Sequence, residues 1–374
     1  MNQYRPNKNR IAAFGFRSIP MIAGSAGADK FASEFFPRLV KHGYSVTAYN
    51  RVYPNQTETF SSYKGVRIHN LRTFNRSGLD TLWHSMKSTI HILRYDTGDI
   101  IHIQNGGNSI WAVLLRLFGK SVVVSQDGLD WKRDKWPWYG KLYLKFSTLI
   151  TAHLPNRVIF DNVFAKKVVE TIYNKTYDFI PFGSEVTDFS DTDILERLDL
   201  KKNEYFLFIG RFIPDKGLHY LLPAFKKIST DKKIVIVGGS PNPSEYERRI
   251  KSYQAQNIIF PGFIYGNDSD TLINNCFCYI QPSDVEGLSP VLLQVMGFGK
   301  PIICSDIQEN IYVVKNTALS FTKGDSEDLA KKLLYATDNP HKMNLLGEAA
   351  IIRAKNKFTW AAVTERHIKI FNEI

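Results

Sequence analysis

The stretch Gly210-Arg211-Phe212-Ile213-Pro214-Asp215-Lys216-Gly217 places two cations five residues apart. The apolar run Tyr205–Ile209 before it reads as a strand, and Leu218, Leu221, Leu222 and Phe225 after it recur at helical spacing. Arg211 and Lys216 would then stand at a strand end and a helix start. There a guanidinium and an ammonium can converge on a diphosphate, and the helix N-terminus adds partial positive charge. A surface loop with solvated charges fits the same residues. A second stretch, Ser283-Asp284-Val285-Glu286-Gly287-Leu288-Ser289-Pro290, follows the strand-like run Cys278–Gln281. Glu286 is placed to accept hydrogen bonds from two hydroxyls, as a sugar requires. Gly287 lets backbone approach a ligand, and Leu288 and Ser289 open a helix. The alternative is that Glu286 caps that helix.

In the first half, Gly15-Phe16-Arg17-Ser18-Ile19-Pro20 leads into Ala23-Gly24-Ser25-Ala26-Gly27-Ala28-Asp29. A glycine-rich loop entering a helix, with Gly24 and Gly27, suits a phosphate or acceptor contact, and a plain turn suits it equally. Asn105 lies in His102-Ile103-Gln104-Asn105-Gly106-Gly107-Asn108. Asp127 opens Asp127-Gly128-Leu129-Asp130-Trp131-Lys132-Arg133 after the run Val122–Ser125. From Trp131 to Leu154, aromatic residues (Trp136, Trp138, Tyr139, Tyr143, Phe146) interleave with Lys132, Arg133, Lys135, Lys141 and Lys145. That mixture fits an anionic membrane interface or an amphipathic core helix with a solvated basic face.

These residues need a scaffold that brings strand ends together. Short apolar runs (Ile11–Phe16, Ser45–Asn50, Val66–Leu71, Asp99–Gln104, Ser121–Ser125, Arg157–Asp161, Phe179–Phe182) alternate with helical patterns, one carrying Phe31, Phe35, Phe36, Leu39 and Val40, another Leu79, Leu82, Met86, Ile90 and Leu93. The pattern restarts with Tyr205–Ile209, Lys233–Val237, Ile258–Phe260, Cys278–Gln281, Pro301–Ser305 and Leu319–Thr322. Strands separated by helices imply parallel, doubly wound sheets. The expectation is an α/β protein of two Rossmann-like domains with a ligand cleft between them. The first is 1–183, the linker 184–199 and the second 200–357; a C-terminal helix, 358–374, packs back on the first.

The 374 residues carry 48 Lys+Arg and 36 Asp+Glu, a net charge of +12. Residues 1–185 hold 25 basic and 13 acidic side chains, and residues 186–374 hold 23 of each, so the excess lies in the first half. Such a half implies an anionic partner. No helix-turn-helix, zinc-finger or RNA-recognition pattern supports nucleic acid. The three cysteines, Cys276, Cys278 and Cys304, fit neither a disulfide framework nor a metal site, so a reducing compartment is expected. No run of about 18 apolar residues could span a bilayer.

The two stretches of the second half resemble the second domain of family 4 retaining glycosyltransferases, which have the GT-B fold. In that family the Arg and Lys of the first motif hold the donor diphosphate. The second motif is Glu-x7-Glu, its first Glu on the sugar and its second on the ribose. Glu286 fills the first place, and Gln294 stands in the second. Gly262 and Phe263 match where this family's backbone reads the base. The blocks of the first half, above all Asp-Gly-Leu-Asp-Trp-Lys-Arg, resemble bacterial rhamnosyltransferases of cell-surface polysaccharides. Asp127 stands where general family members often have a His that contacts the donor's 6-hydroxyl; its loss suits a 6-deoxy sugar.

The resemblance implies a retaining transfer, from a thymidine-, uridine- or guanosine-diphosphate sugar to a lipid-linked saccharide. Catalysis would involve Arg211, Lys216, Glu286 and Asp127. The donor would meet Gly210, Gly262, Phe263, Gly287, Leu288, Ser289 and Gln294, and the acceptor Gly24, Gly27, Asn105, Trp131, Lys132 and Arg133. No cofactor or metal is expected, and the place of work is the cytoplasmic face of a bacterial membrane. Two rivals are a GT-B nucleotide-sugar epimerase and a non-catalytic anion- or nucleic-acid-binding protein.

Overall fold

In the computed structural model, the described residues are 9–374 apart from 23, 55, 77, 133–135, 185–190 and 241–243. The chain divides into two units, Met1–Pro181 with Trp360–Ile374, and Phe182–Thr359.

The first unit is built on eight strands: β1 (Arg10–Phe14), β2 (Ser45–Val52), β3 (Ser62–Tyr63), β4 (Val66–Arg72), β5 (Ile100–Gln104), β6 (Ser121–Gln126), β7 (Arg157–Phe160) and β8 (Asp178–Phe179). Their order is β3-β4-β2-β1-β5-β6-β7-β8. All pairs are parallel except the short edge strand β3, which turns back on β4. The sequence pattern gives no sign of β3, because two residues carry no periodicity. Strands β5 and β6 are buried along their whole length. That explains their near-continuous Ile and Val: a parallel sheet is covered on both faces.

The C-terminal helix Trp360–Asn372 lies on the helix Gly27–Lys41. Phe31 meets Trp360 at 5.9 Å between ring centroids, and Phe35 meets His367 at 4.4 Å. The helix Leu79–Tyr95 forms where expected, but its apolar stripe is not its buried face. His84, Ser85, Ser88 and Thr89 are buried, whereas Leu79 and Ile90 are exposed. The small polar side chains win the inner position because they find partners there: Ser85 Oγ donates to Asn108 Oδ1 at 2.7 Å, and Ser88 and Thr89 bond back to the preceding turn.

The second unit has six parallel strands, β9 (Tyr205–Arg211), β10 (Lys233–Gly239), β11 (Ile258–Gly262), β12 (Cys278–Gln281), β13 (Ile302–Ser305) and β14 (Leu319–Phe321). Their order is β11-β10-β9-β12-β13-β14. Phe206, Phe208, Leu221, Leu222 and Phe225 form the centre of its core. The connections reverse direction between β9 and β12, the position where open α/β sheets bind ligands beyond the strand ends.

The stretch 184–199 is only partly the expected linker. Residues 185–190 lie outside the described residues, and the remainder folds onto the second unit. Thr192 N donates to Thr271 Oγ1 at 3.1 Å, Arg197 pairs with Asp268 at 2.6 Å, and Ile194 is buried at the start of the short helix Ile194–Arg197. The Asp-rich composition reads as solvated chain because its partners, on the helix Gly266–Asn275, are distant in sequence.

Candidate active site

Arg211 is the last residue of β9, and Lys216 closes a 3-10 turn, Pro214–Lys216, that follows it. Gly217 then has φ +70°, and a Cβ there would come within 1.9 Å of the Pro282 carbonyl oxygen. Only glycine allows this approach. It presses the turn against the end of β12, and Asp284 N donates to Asp215 O at 2.9 Å to join the two loops. Lys216 Nζ consequently reaches Glu286 Oε1 at 2.6 Å, with the Lys side chain 19% and the Glu side chain 7% exposed.

Glu286 is fixed from behind. Gln281 Nε2 donates to the same carboxylate oxygen and contacts Ser283 Oγ at 3.2 Å. Gln281 Oε1 in turn accepts from Tyr279 at 2.7 Å. Burial pushes the Tyr279 phenol well up, so it remains a donor. A buried carboxylate with one cation and one amide is held in place and keeps acceptor capacity for hydroxyls. Glu286 is not the helix cap. Ser289 takes that place, its Oγ accepting from Leu292 N at 3.3 Å, and the helix runs Pro290–Gly297. The sequence expectation that Leu288 and Ser289 begin the helix is therefore corrected: Pro290, with its fixed φ, is the first helical residue. Leu288 is buried.

The neighbouring strand ends are shaped by glycine. A Cβ on Gly238 would meet Gly210 O at 1.9 Å, so β9 and β10 close together there, and Gly239 leaves room for the Phe263 ring. Gly262 has φ +85°. The ring of Phe263 stacks with Tyr265, 6.2 Å between centroids and 7° between planes. Gln294 is turned to the helix Gly266–Asn275, where its Nε2 donates to Asp270 Oδ1.

In the first unit the strand ends of β1, β5 and β6 meet in the same manner. Asn105, at φ +68°, donates from Nδ2 to Gly15 O at 3.0 Å. Asp127 accepts from Gln104 Nε2 at 2.8 Å. The loop with Gly24 and Gly27 is folded back by Asp29, which accepts from the backbone N–H of Ala26, Arg17 and Ser18 at 2.7, 2.5 and 3.2 Å. Burial raises the Asp29 pKa, against these three donors. Trp131 receives the ammonium groups of Lys132 and Lys145 on its ring, 5.4 and 5.6 Å from the centroid. Arg133 lies outside the described residues.

The motifs alone do not reveal Gln281, Asp270, Gln104 or Asp29. Gln281 and Gln104 carry a usable signal, a polar residue ending an otherwise apolar strand. Asp29 carries another, an acid three residues into a helix. Asp270 carries none, since its role depends on a contact 24 residues along the chain.

Residues 191–353 match the family model described as glycosyl transferases group 1. The second unit is thus similar, over those residues, to the glycosyl transferases group 1. Residues 91–185 match a domain of unknown function, DUF1972. Among curated relatives, the O-antigen chain mannosyltransferase C of Escherichia coli is 25% identical over 232 residues, 60% of each chain. The D-rhamnosyltransferase of Pseudomonas aeruginosa is 28% identical over 160 residues, 41% of this chain and 42% of that one. The capsular polysaccharide biosynthesis glycosyltransferase of Staphylococcus aureus is 21% identical over 230 residues, again 60% of each chain. The matches thus span about 60% of the length of the first two relatives. Sucrose-phosphate synthase from Thermosynechococcus elongatus superposes with TM-score 0.82 at 18% identity, covering 97% of this chain and 98% of that one. HepE of Anabaena, in complex with UDP and glucose, gives 0.80 at 15%, covering 98% and 100%. These likenesses establish the fold, the GT-B class of two Rossmann-like parallel-sheet domains.

Proposed function

We propose that this protein is a retaining glycosyltransferase. It moves rhamnose, or another 6-deoxy or hexose sugar, from a nucleotide-diphosphate donor to a lipid-linked saccharide in surface-polysaccharide synthesis. The observation that carries this reading is the convergence of Lys216 and Glu286 at the direction reversal of the second sheet, where Arg211 ends β9. An anion-binding cation held against a sugar-binding carboxylate is what a sugar diphosphate requires. In this reading Arg211 and Lys216 take up the charge that develops as the bond from the sugar C1 to the diphosphate oxygen breaks. The acceptor hydroxyl oxygen bonds to C1 on the same face, and its proton passes to the departing phosphate. The chemistry draws on no cofactor or metal. The relatives' printed activities, mannosyl and rhamnosyl transfer and capsule synthesis, support the substrate class. The lipid-linked acceptor places the enzyme at the inner face of the membrane.

The test has two arms. Arg211→Ala should lower turnover by about a hundredfold or more in a folded protein, as loss of a charge-stabilising group commonly does; unchanged turnover overturns the assignment. A thermal-shift panel of thymidine, uridine and guanosine diphosphates identifies the nucleotide, since a ligand bound by the native state alone raises the melting temperature. Stabilisation by thymidine diphosphate alone favours rhamnose. No shift with any of the three overturns the donor reading.

A further inference from the structure

The helix Trp138–His153 buries Leu144, Ser147, Thr148, Ile150 and Thr151 and turns a second apolar stripe outward. Trp138 is 77% exposed, Tyr139 64%, Leu142 61% and Phe146 51%, with Leu149 also exposed. Trp138, Leu142, Phe146 and Leu149 are spaced by four, four and three residues and share one face. The helix Ala112–Leu117 packs beside it and adds Leu117 and Phe118, 78% and 65% exposed. Singly exposed apolar residues are ordinary, but an aromatic and aliphatic stripe along one helix, with more exposed apolar residues on the helix packed beside it, marks an interaction surface.

The charges around this face choose its occupant. Between residues 100 and 126, and again between 135 and 160, there is no Asp or Glu. The same stretches carry Arg116, Lys141 and Lys145, with Lys132 just before the second. Lys120, in the first stretch, pairs with Asp96. A second copy of this chain docking face to face would bring these cations against one another. A bilayer with anionic headgroups meets both requirements. Its acyl boundary takes the apolar stripe, the phosphates take Lys and Arg, and Trp and Tyr suit the level between.

We infer that the outward face of the helices 112–118 and 138–149 is a bilayer-docking surface that inserts Leu117, Phe118, Trp138, Leu142 and Phe146 into the leaflet of an anionic membrane. The inference deepens the proposed function and rests on it for the purpose of such a face, to bring the site to an acceptor embedded in lipid. The binding itself needs no donor. The helices 112–118 and 138–149 belong to a segment matched only to a domain of unknown function, so the inference gives that segment a physical task.

The experiment is co-sedimentation of the purified full chain with vesicles of phosphatidylcholine containing about one third phosphatidylglycerol, and with pure phosphatidylcholine. Wild-type protein should bind the anionic vesicles at least tenfold more tightly, and several-fold less tightly when salt is raised to about 0.5 M. Trp138→Glu/Leu142→Glu/Phe146→Glu should lose about thirtyfold or more in vesicle affinity, since each removes apolar insertion. All three side chains are exposed, so the variant should keep the wild-type melting temperature within a few degrees and any nucleoside-diphosphate thermal shift. Lys141→Glu/Lys145→Glu is the companion variant and should abolish the preference for anionic vesicles. Absence of wild-type binding to either vesicle overturns the inference. So does full binding by the triple-Glu variant, or a wild-type dimer that the triple-Glu variant dissolves in the absence of lipid binding. Arg211→Ala should bind vesicles as wild type does. Loss of the donor reading would therefore leave the vesicle result intact, and the reverse also holds.

Discussion

The pair Lys216–Glu286 supports a prediction with two readouts. The partners are 2.6 Å apart and mostly buried, and Gln281 binds the same carboxylate. Exposed ion pairs couple by about 0.2–1 kcal/mol, whereas removing one partner of a fully buried pair costs about 3–5 kcal/mol. With 19% and 7% exposure, this pair falls between the limits, and a coupling of about 2 kcal/mol is expected. The perturbation is a double-mutant cycle of Lys216→Met, Glu286→Gln and the combined variant, each unfolded in urea. Lys216→Met should be the most destabilising, since it takes the paired cation away from a buried carboxylate.

The second readout separates the two proposed roles. A diphosphate competes with Glu286 for Lys216. Relieving part of the coupling, about 1 kcal/mol, should tighten binding of the nucleoside diphosphate by about fivefold in Glu286→Gln. The same variant should weaken the nucleotide sugar relative to the nucleoside diphosphate, because the sugar hydroxyls lose their charged acceptor. Titration calorimetry with both ligands measures the difference. A coupling below about 0.3 kcal/mol, or an equal change for both ligands, refutes the reasoning.

Three further outcomes follow from the packing of single residues. Burial pushes the imidazoles of His84 and His367 down to about 3 and that of His102 down to about 4. Unfolded histidine titrates near 6.5. The unfolded chain therefore binds these protons first, and stability present above about pH 6.5 should fall steadily as pH drops toward 4. At pH 5 the loss is about 2 kcal/mol for each of the three; urea midpoints that stay flat between pH 6.5 and 5 would contradict this. Gly217→Ala should destabilise by at least about 2–3 kcal/mol, from the positive φ and the Pro282 carbonyl together, as measured by urea unfolding; a loss under about 1 kcal/mol would show that the loop relaxes. Gln294→Glu sets a carboxylate against Asp270 and should lower the melting temperature by several degrees, with Asp270→Asn restoring it; no change in the single variant would show that the amide contact is dispensable.

Much of the molecule was readable in advance because its cause is local. Parallel strands covered on both faces must be apolar throughout, so Ile100–Gln104 and Ser121–Gln126 identify themselves without neighbours. Arg211 and Glu286 are legible for a related reason, one ending β9 and the other on the loop after β12, where strand ends are the natural site of ligand contact. The two-unit plan and the likeness of the second unit to group 1 glycosyl transferases follow from the same alternation and motifs.

What required the tertiary structure is whatever depends on two distant segments meeting. The edge strand β3 has its partner but no pattern of its own. The polar inner face of Leu79–Tyr95 is chosen by Asn108 and by its own backbone, against the apolar stripe that spacing suggests. Asp270 becomes the neighbour of Gln294 only when two helices pack, and Thr192 and Arg197 leave the linker because Thr271 and Asp268 await them. Composition could name the aromatic-basic segment but not say whether its rings face the core. The exposure of Trp138, Leu142 and Phe146 settles that, because a helix has one buried face and Leu144, Ile150 and Thr151 already occupy it. Residue chemistry is local and fixes what each group can do; direction and company are set by packing, which fixes what each group does.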